Sequence, residues 1–137
     1  MSNYPAKELI KNFFSVLAGV IIALAILISL SAFLLFADII PTANGKPNEQ
    51  DLLVAEISFA ISIIIASISA GYSTAKISTR QNWLYIIIAG AVFLTFLWYT
   101  NEFDFGFSDT WRYSFFLLVL PCTLLGGYFG LRKKNDD

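Results

Sequence analysis

Four long blocks without a charged side chain divide the chain: Phe13 to Ala37, Ile57 to Ala75, Trp83 to Thr100 and Tyr113 to Leu131, holding 25, 19, 18 and 19 residues. At about 1.5 Å per helical residue the three shorter blocks reach roughly 27–28 Å, close to the hydrocarbon thickness of a bilayer, about 30 Å. The first block is long enough to tilt or to project beyond it. Alternation at period 2, the mark of barrel strands, is absent inside the blocks. Backbone polar groups in lipid must be satisfied within their own segment, so helices are expected. The pattern therefore predicts an all-α integral membrane protein, a single domain over residues 1–137 with four transmembrane helices in an antiparallel bundle. The spans are expected at approximately 13–37, 55–75, 83–100 and 112–131.

Lys7 and Lys11 precede the first block, and Ser29-Leu30-Ser31 loosely imitates a cleavage site. Its 25 uncharged residues nevertheless exceed the about 7–15 of a signal-peptide core, so it reads as the first span.

Orientation follows from where the basic residues fall in the short connections. Lys7, Lys11, Lys76, Arg80, Arg132, Lys133 and Lys134 all belong to one side, against Lys46 and Arg112 on the other. Seven against two predicts that the N and C termini are both cytoplasmic. Acids show the mirror image. Asp38, Glu49, Asp51, Glu56, Glu102, Asp104 and Asp109 fall outside, leaving the inner side at +4 and the outer side at −5. Aromatic residues agree: Trp83, Tyr85, Tyr72 and Tyr128 mark the inner boundary, and Trp98, Tyr99, Trp111 and Tyr113 the outer one. Such rings prefer the headgroup level because they are apolar with one polar edge. The expected location is a cell membrane of the bacterial inner or plasma type.

Composition narrows the function classes. Hydrophobic residues make up 57 % of the chain and charged ones 14 %, against about 25 % charged in a typical soluble domain. Disorder, nucleic-acid binding and an ordinary water-soluble globule are excluded on that ground. There is no histidine, which removes the commonest metal ligand and the usual general base at neutral pH. A single cysteine, Cys122, leaves no disulfide, redox pair or thiolate zinc site within the chain. No catalytic residue, cofactor or metal is expected.

Within the spans, small residues lie at helical spacing. On the second, Ile57, Ile61, Ile64 and Ile68 form one stripe, and Ser58, Ser62, Ala66, Ser69 and Ser73 form another on the opposite side. The branched stripe is expected to face lipid and the small one a neighbouring helix. On the fourth, Cys122, Gly126 and Gly130 recur every four residues, a ridge that marks a close helix crossing within the bundle or with another subunit. Gly90 between Ala89 and Ala91 gives the third a similar smooth patch, and Pro121 should kink the fourth. Spans two and four also echo one another, Ala70-Gly71-Tyr72 before Lys76 matching Gly127-Tyr128 before Arg132, as in a two-hairpin repeat.

Few polar groups could carry chemistry. Glu56 stands at the outer edge of the second span. Nineteen uncharged residues follow it, so the membrane can be spanned without burying it. Asp51 is placed as an N-cap before Leu52, and Asn44-Gly45 with Pro47 as a turn in the first outer loop. In the second outer loop Glu102 and Asp104 alternate with Phe103, Phe105 and Phe107, which suits a segment with its aromatic side in the headgroups. With no convergent polar cluster, the expected function is that of a small multi-pass membrane protein without enzymatic activity. It would be an accessory or assembly subunit packing against other membrane proteins, or against itself as a homo-oligomer, with the lipid bilayer as its surroundings and no nucleic acid. The alternative is a homo-oligomeric small channel or transporter for cations or small solutes, its path formed by Glu56, Ser58, Ser62, Ser69 and Ser73.

Overall fold

A computed structural model describes residues 4–36, 49–79, 82–100 and 109–136. It consists of four packed helices: α1 (Tyr4–Phe36), α2 (Glu49–Ile77), α3 (Trp83–Thr100) and α4 (Asp109–Asp136). Only α3 coincides with its uncharged block. The others run past the charges that bound theirs, because lysine, glutamate and arginine are good helix formers and interrupt the apolar run without interrupting the backbone ladder. Consequently α2 starts two residues before Asp51, which lies inside the first turn and not at the N-cap position. Beside the helix N-terminus its carboxylate still suits the dipole. Pro121 lies inside α4, which continues as helix on both sides of it. The turn residues 44–47 and the aromatic and acidic segment 102–108 lie outside the described residues.

Contacts fix the directions. Asn12 meets Thr79, Ser15 meets Thr74 and Gly19 approaches Ala70, so α1 and α2 are antiparallel. Gly90 approaches Thr123 and Gly127 approaches Ile86, which makes α3 and α4 antiparallel as well. By contrast Gly126 lies on Ile68 and Gly130 on Tyr72, so α2 and α4 run parallel. The two hairpins thus lie side by side with like-directed helices adjacent, α1 by α3 and α2 by α4. Both α2 and α3 touch every other helix, whereas α1 and α4 make no contact among the described residues. The echoing glycines meet here: Gly71 faces Gly127, 56 residues on. The hairpins are, however, stacked by a sideways shift and not turned about an axis between them, since α2 touches α3 while α1 and α4 stay apart.

Size, more than polarity, separates inside from outside. The interior is built on Ala23, Ala66, Ala70, Ala89, Ser67 and Thr74, with Phe93, Ile63 and Ile86 as the largest fully buried side chains. Outward stand Ile28 (67 % exposed), Phe33, Leu117 (76 % exposed), Leu125 and Phe129. Helices approach closely where side chains are small, so dispersion between backbones and short side chains does the packing. α1 and α2 contain stretches long and apolar enough to cross a membrane, Ala6–Leu34 and Gln50–Ile77, and α3 adds a shorter apolar stretch, Trp83–Tyr99. On α2 the isoleucine stripe divides: Ile57 and Ile61 are exposed, while Ile64 and Ile68 are half-buried, Ile68 beneath Gly126.

Candidate functional site

The end of the bundle where α1 begins and α4 ends carries a polar junction between α1 and α2. Asn12, only 3 % exposed, places its Oδ1 to accept two hydrogen bonds from Thr79, one from the backbone N–H and one from Oγ1, each at 3.0 Å. Ser15 Oγ donates to the Asn12 carbonyl at 2.6 Å, and Thr74 Oγ1 donates to the Ser15 carbonyl at 3.4 Å. The reason lies in the end of α2. Its ladder closes with Ser78 N–H on the Thr74 carbonyl at 3.0 Å, and the next N–H, that of Thr79, has left the helix. Thr79 is half-buried, so leaving this N–H without an acceptor costs toward the lower end of about 1–3 kcal/mol, and the Asn12 amide removes that cost from across the interface. Sequence reasoning passed over these residues. The available signal was weak: a polar residue at the start of the first block and a Ser-Thr pair just past the second, each at the same boundary.

Around this end stand exposed Lys7, Lys11, Lys76, Arg132 and Lys133. Lys76 places its ammonium 5.8 Å from the centroid of the Tyr72 ring, and Trp83 and Tyr128 are exposed beside the same boundary. Arg80 lies outside the described residues.

Glu56 is buried, 7 % exposed, although its position at the edge of the second block suggested a solvated carboxylate. Two features explain the difference. α2 begins seven residues earlier, about 10 Å of helix, so Glu56 is in its third turn. It also lies within about 20° of Ile63 around the helix, on the inward face that continues through Ala70. The serines occupy another sector. Ser62 is buried, and Ser58, Ser69 and Ser73 are half-buried. Two of the hydroxyls turn back on their own helix: Ser62 donates to the Ser58 carbonyl at 2.9 Å and Ser69 to the Ile65 carbonyl at 2.8 Å. Donors engaged in this way are not free for a solute, although each oxygen still has acceptor capacity. The structure therefore does not gather Glu56, Ser58, Ser62, Ser69 and Ser73 on one face. No group of three or more acidic or cysteine side chains stands ready to hold a metal ion among the described residues.

Gly126 and Gly130 of the ridge are buried against α2, and Cys122 is buried one turn before them. A Cβ added at Gly126 would overlap the Ile68 carbonyl oxygen, and one at Gly130 would lie 2.8 Å from both the Tyr72 oxygen and the Ala75 Cβ. Gly71 presents the same demand from the α2 side, against the Thr123 carbonyl. Gly19 on α1, not singled out by its spacing, lets that helix approach Ala70 and Thr74. α2 is thus enclosed through two small-residue sectors, one toward α1 and one toward α4.

Among the described residues, two open grooves lie on the outer surface. One, of about 500 Å³, is lined by Ile88, Ala91, Val92, Thr95, Phe96 and Tyr99 of α3. The other, of about 600 Å³, lies between α3 and α4 and is lined by Trp83, Ile87, Pro121, Leu124, Leu125 and Tyr128. No family model, curated protein or solved structure matches the chain.

Proposed function

We propose that this chain is an integral membrane protein whose four helices cross a cell membrane of the bacterial inner or plasma type, with both termini cytoplasmic. In this reading it works by association, as a non-enzymatic accessory or assembly subunit beside other membrane proteins or a second copy of itself. The membrane part is supported by the inverted size distribution. Contiguous exposed apolar surface on soluble monomers rarely exceeds a few hundred Å², whereas here bulky apolar side chains cover the outside of all four helices. Sidedness is supported by the five exposed basic residues at the end where α1 begins and α4 ends.

The observation that carries the association is the groove on α3. The small residues of the α2–α4 and α1–α2 crossings are spent inside the bundle. Ala91 and Thr95, four residues apart, are instead exposed and form the small-residue floor of an open groove, with Ile88, Val92, Phe96 and Tyr99 rising along one side of it. Thr95 turns its hydroxyl back to the Ala91 carbonyl at 2.8 Å, so the floor offers methyl groups and no free donor. A partner helix fits such a notch by close packing. Native mass measurement after extraction in mild detergent is expected to find the chain in a stoichiometric complex, lost on Ala91→Leu. A lone monomer, or a complex indifferent to Ala91→Leu, contradicts this reading.

A channel or transporter for cations or small solutes is the second reading, favoured by one observation, the burial of Glu56. A carboxylate drawn into a membrane bundle often marks an ion path. It requires that liposome flux fall with Glu56→Gln.

A further inference from the structure

The groove between α3 and α4 has a chemistry of its own. Trp83, Ile87, Pro121, Leu124, Leu125 and Tyr128 present an apolar trough of about 600 Å³. Its inner limit is marked by two aromatic side chains, Trp83 from the first turn of α3 and Tyr128 from α4. Trp83 is 43 % exposed and Tyr128 49 % exposed, so both line the trough without being enclosed in it.

What lies beyond them is basic. Pro121, Leu125, Tyr128 and Arg132 follow one another at intervals of four, three and four residues, which keeps them on one face of α4. Arg132 is exposed one turn past Tyr128, and Lys133 is exposed beside it. An apolar trough therefore runs up to an indole and a phenol, with an exposed arginine one turn beyond the phenol. The planar guanidinium is suited to bidentate hydrogen bonding with phosphate oxygens, and the indole N–H and phenol O–H prefer headgroup depth.

The geometry points to a binding site for one anionic phospholipid, with an acyl chain along the α3–α4 groove and its phosphate at Arg132. This inference rests on the membrane reading above and goes beyond it, since general positive-inside charge needs no particular lipid at a particular groove. Arg132 supplies the recognition, and Lys133 adds charge without facing the trough. The groove itself accounts for the chain and is indifferent to the headgroup.

Fluorescence quenching separates these contributions. In a variant carrying Trp98→Phe and Trp111→Phe, Trp83 is the only tryptophan left. The purified chain is reconstituted in phosphatidylcholine vesicles doped with a small fraction of lipid brominated on its acyl chains, either phosphatidylglycerol or phosphatidylcholine. The expected result is apparent affinity at Trp83 about fivefold higher for brominated phosphatidylglycerol, the equivalent of about 1 kcal/mol for one basic residue at an anionic headgroup. Arg132→Gln should bring the two lipids level while leaving quenching by brominated phosphatidylcholine unchanged. Equal quenching by both lipids with Arg132 in place overturns the site but leaves the membrane reading standing. Preference that survives Arg132→Gln overturns the site too. Quenching by neither lipid would overturn both, because Trp83 would then not meet hydrocarbon at all.

Discussion

Gly71→Ala is expected to destabilise the bundle by about 1–3 kcal/mol, the range found when a methyl group is forced into a packed interior. Ordinarily the same change inside a helix is favourable by about 1 kcal/mol, because alanine loses less backbone freedom. The sign reverses here because of what the methyl would meet. It would overlap the Thr123 carbonyl oxygen and stand 2.8 Å from the Gly127 nitrogen, both backbone atoms of α4 that cannot rotate aside. Gly126→Ala should behave alike, against the Ile68 carbonyl. Gly90→Ala is the control. Its nearest neighbour is the end of a flexible side chain, Leu120 Cδ2 at 3.1 Å, and no backbone atom of α4 is among the three nearest, so the cost should be smaller. Equilibrium unfolding in mixed detergent micelles measures all three. If Gly71→Ala is as stable as the parent, α2 and α4 do not cross where the structure puts them.

The second large effect is expected at Asn12. Alanine there leaves the Thr79 N–H and hydroxyl without their shared acceptor, at a cost of about 1–3 kcal/mol. Thr79→Ala removes only the hydroxyl and keeps the N–H bond to Asn12, so it should cost less, about 0.5–1.5 kcal/mol. The order of the two variants carries the information. Asn12 would then hold the end of α2 against α1, which amide exchange at Thr79 should report as faster opening in Asn12→Ala. Equal stability of Asn12→Ala and the parent would mean that water replaces the amide without loss.

These two predictions also show which parts of the molecule were legible in the sequence. Helix number and the limits of α3 followed directly from the charge-free blocks, because an apolar run in this composition has only one regular solution. Helix ends did not, since Lys7, Lys11 and Glu8 limit the apolar run and not the hydrogen-bonded ladder of α1. Small-residue spacing announced a close crossing at Cys122, Gly126 and Gly130, but a ridge of that kind is the same whichever helix it meets. Only the fold identifies α2, through Ile68, Tyr72 and Ala75. Glu56 shows the converse. Counting nineteen uncharged residues beyond it made burial unnecessary, yet α2 extends past it and turns position 56 to the same side as Ile63. The Asn12–Thr79 junction joins residues 67 positions apart, and its only local trace is a polar residue at the same boundary of each block.

The membrane reading rests on one arrangement, in which the end bearing Lys7, Lys11, Lys76, Arg132 and Lys133 faces the cytoplasm. Single cysteines introduced by Lys46→Cys, Gly106→Cys and Asn135→Cys, each in a Cys122→Ala background, test it with a membrane-impermeant maleimide on intact cells. Positions 46 and 106 are predicted to label from outside, and position 135 only after the cells are opened. Labelling of position 135 in intact cells, or recovery of the chain in the soluble fraction without detergent, would contradict it.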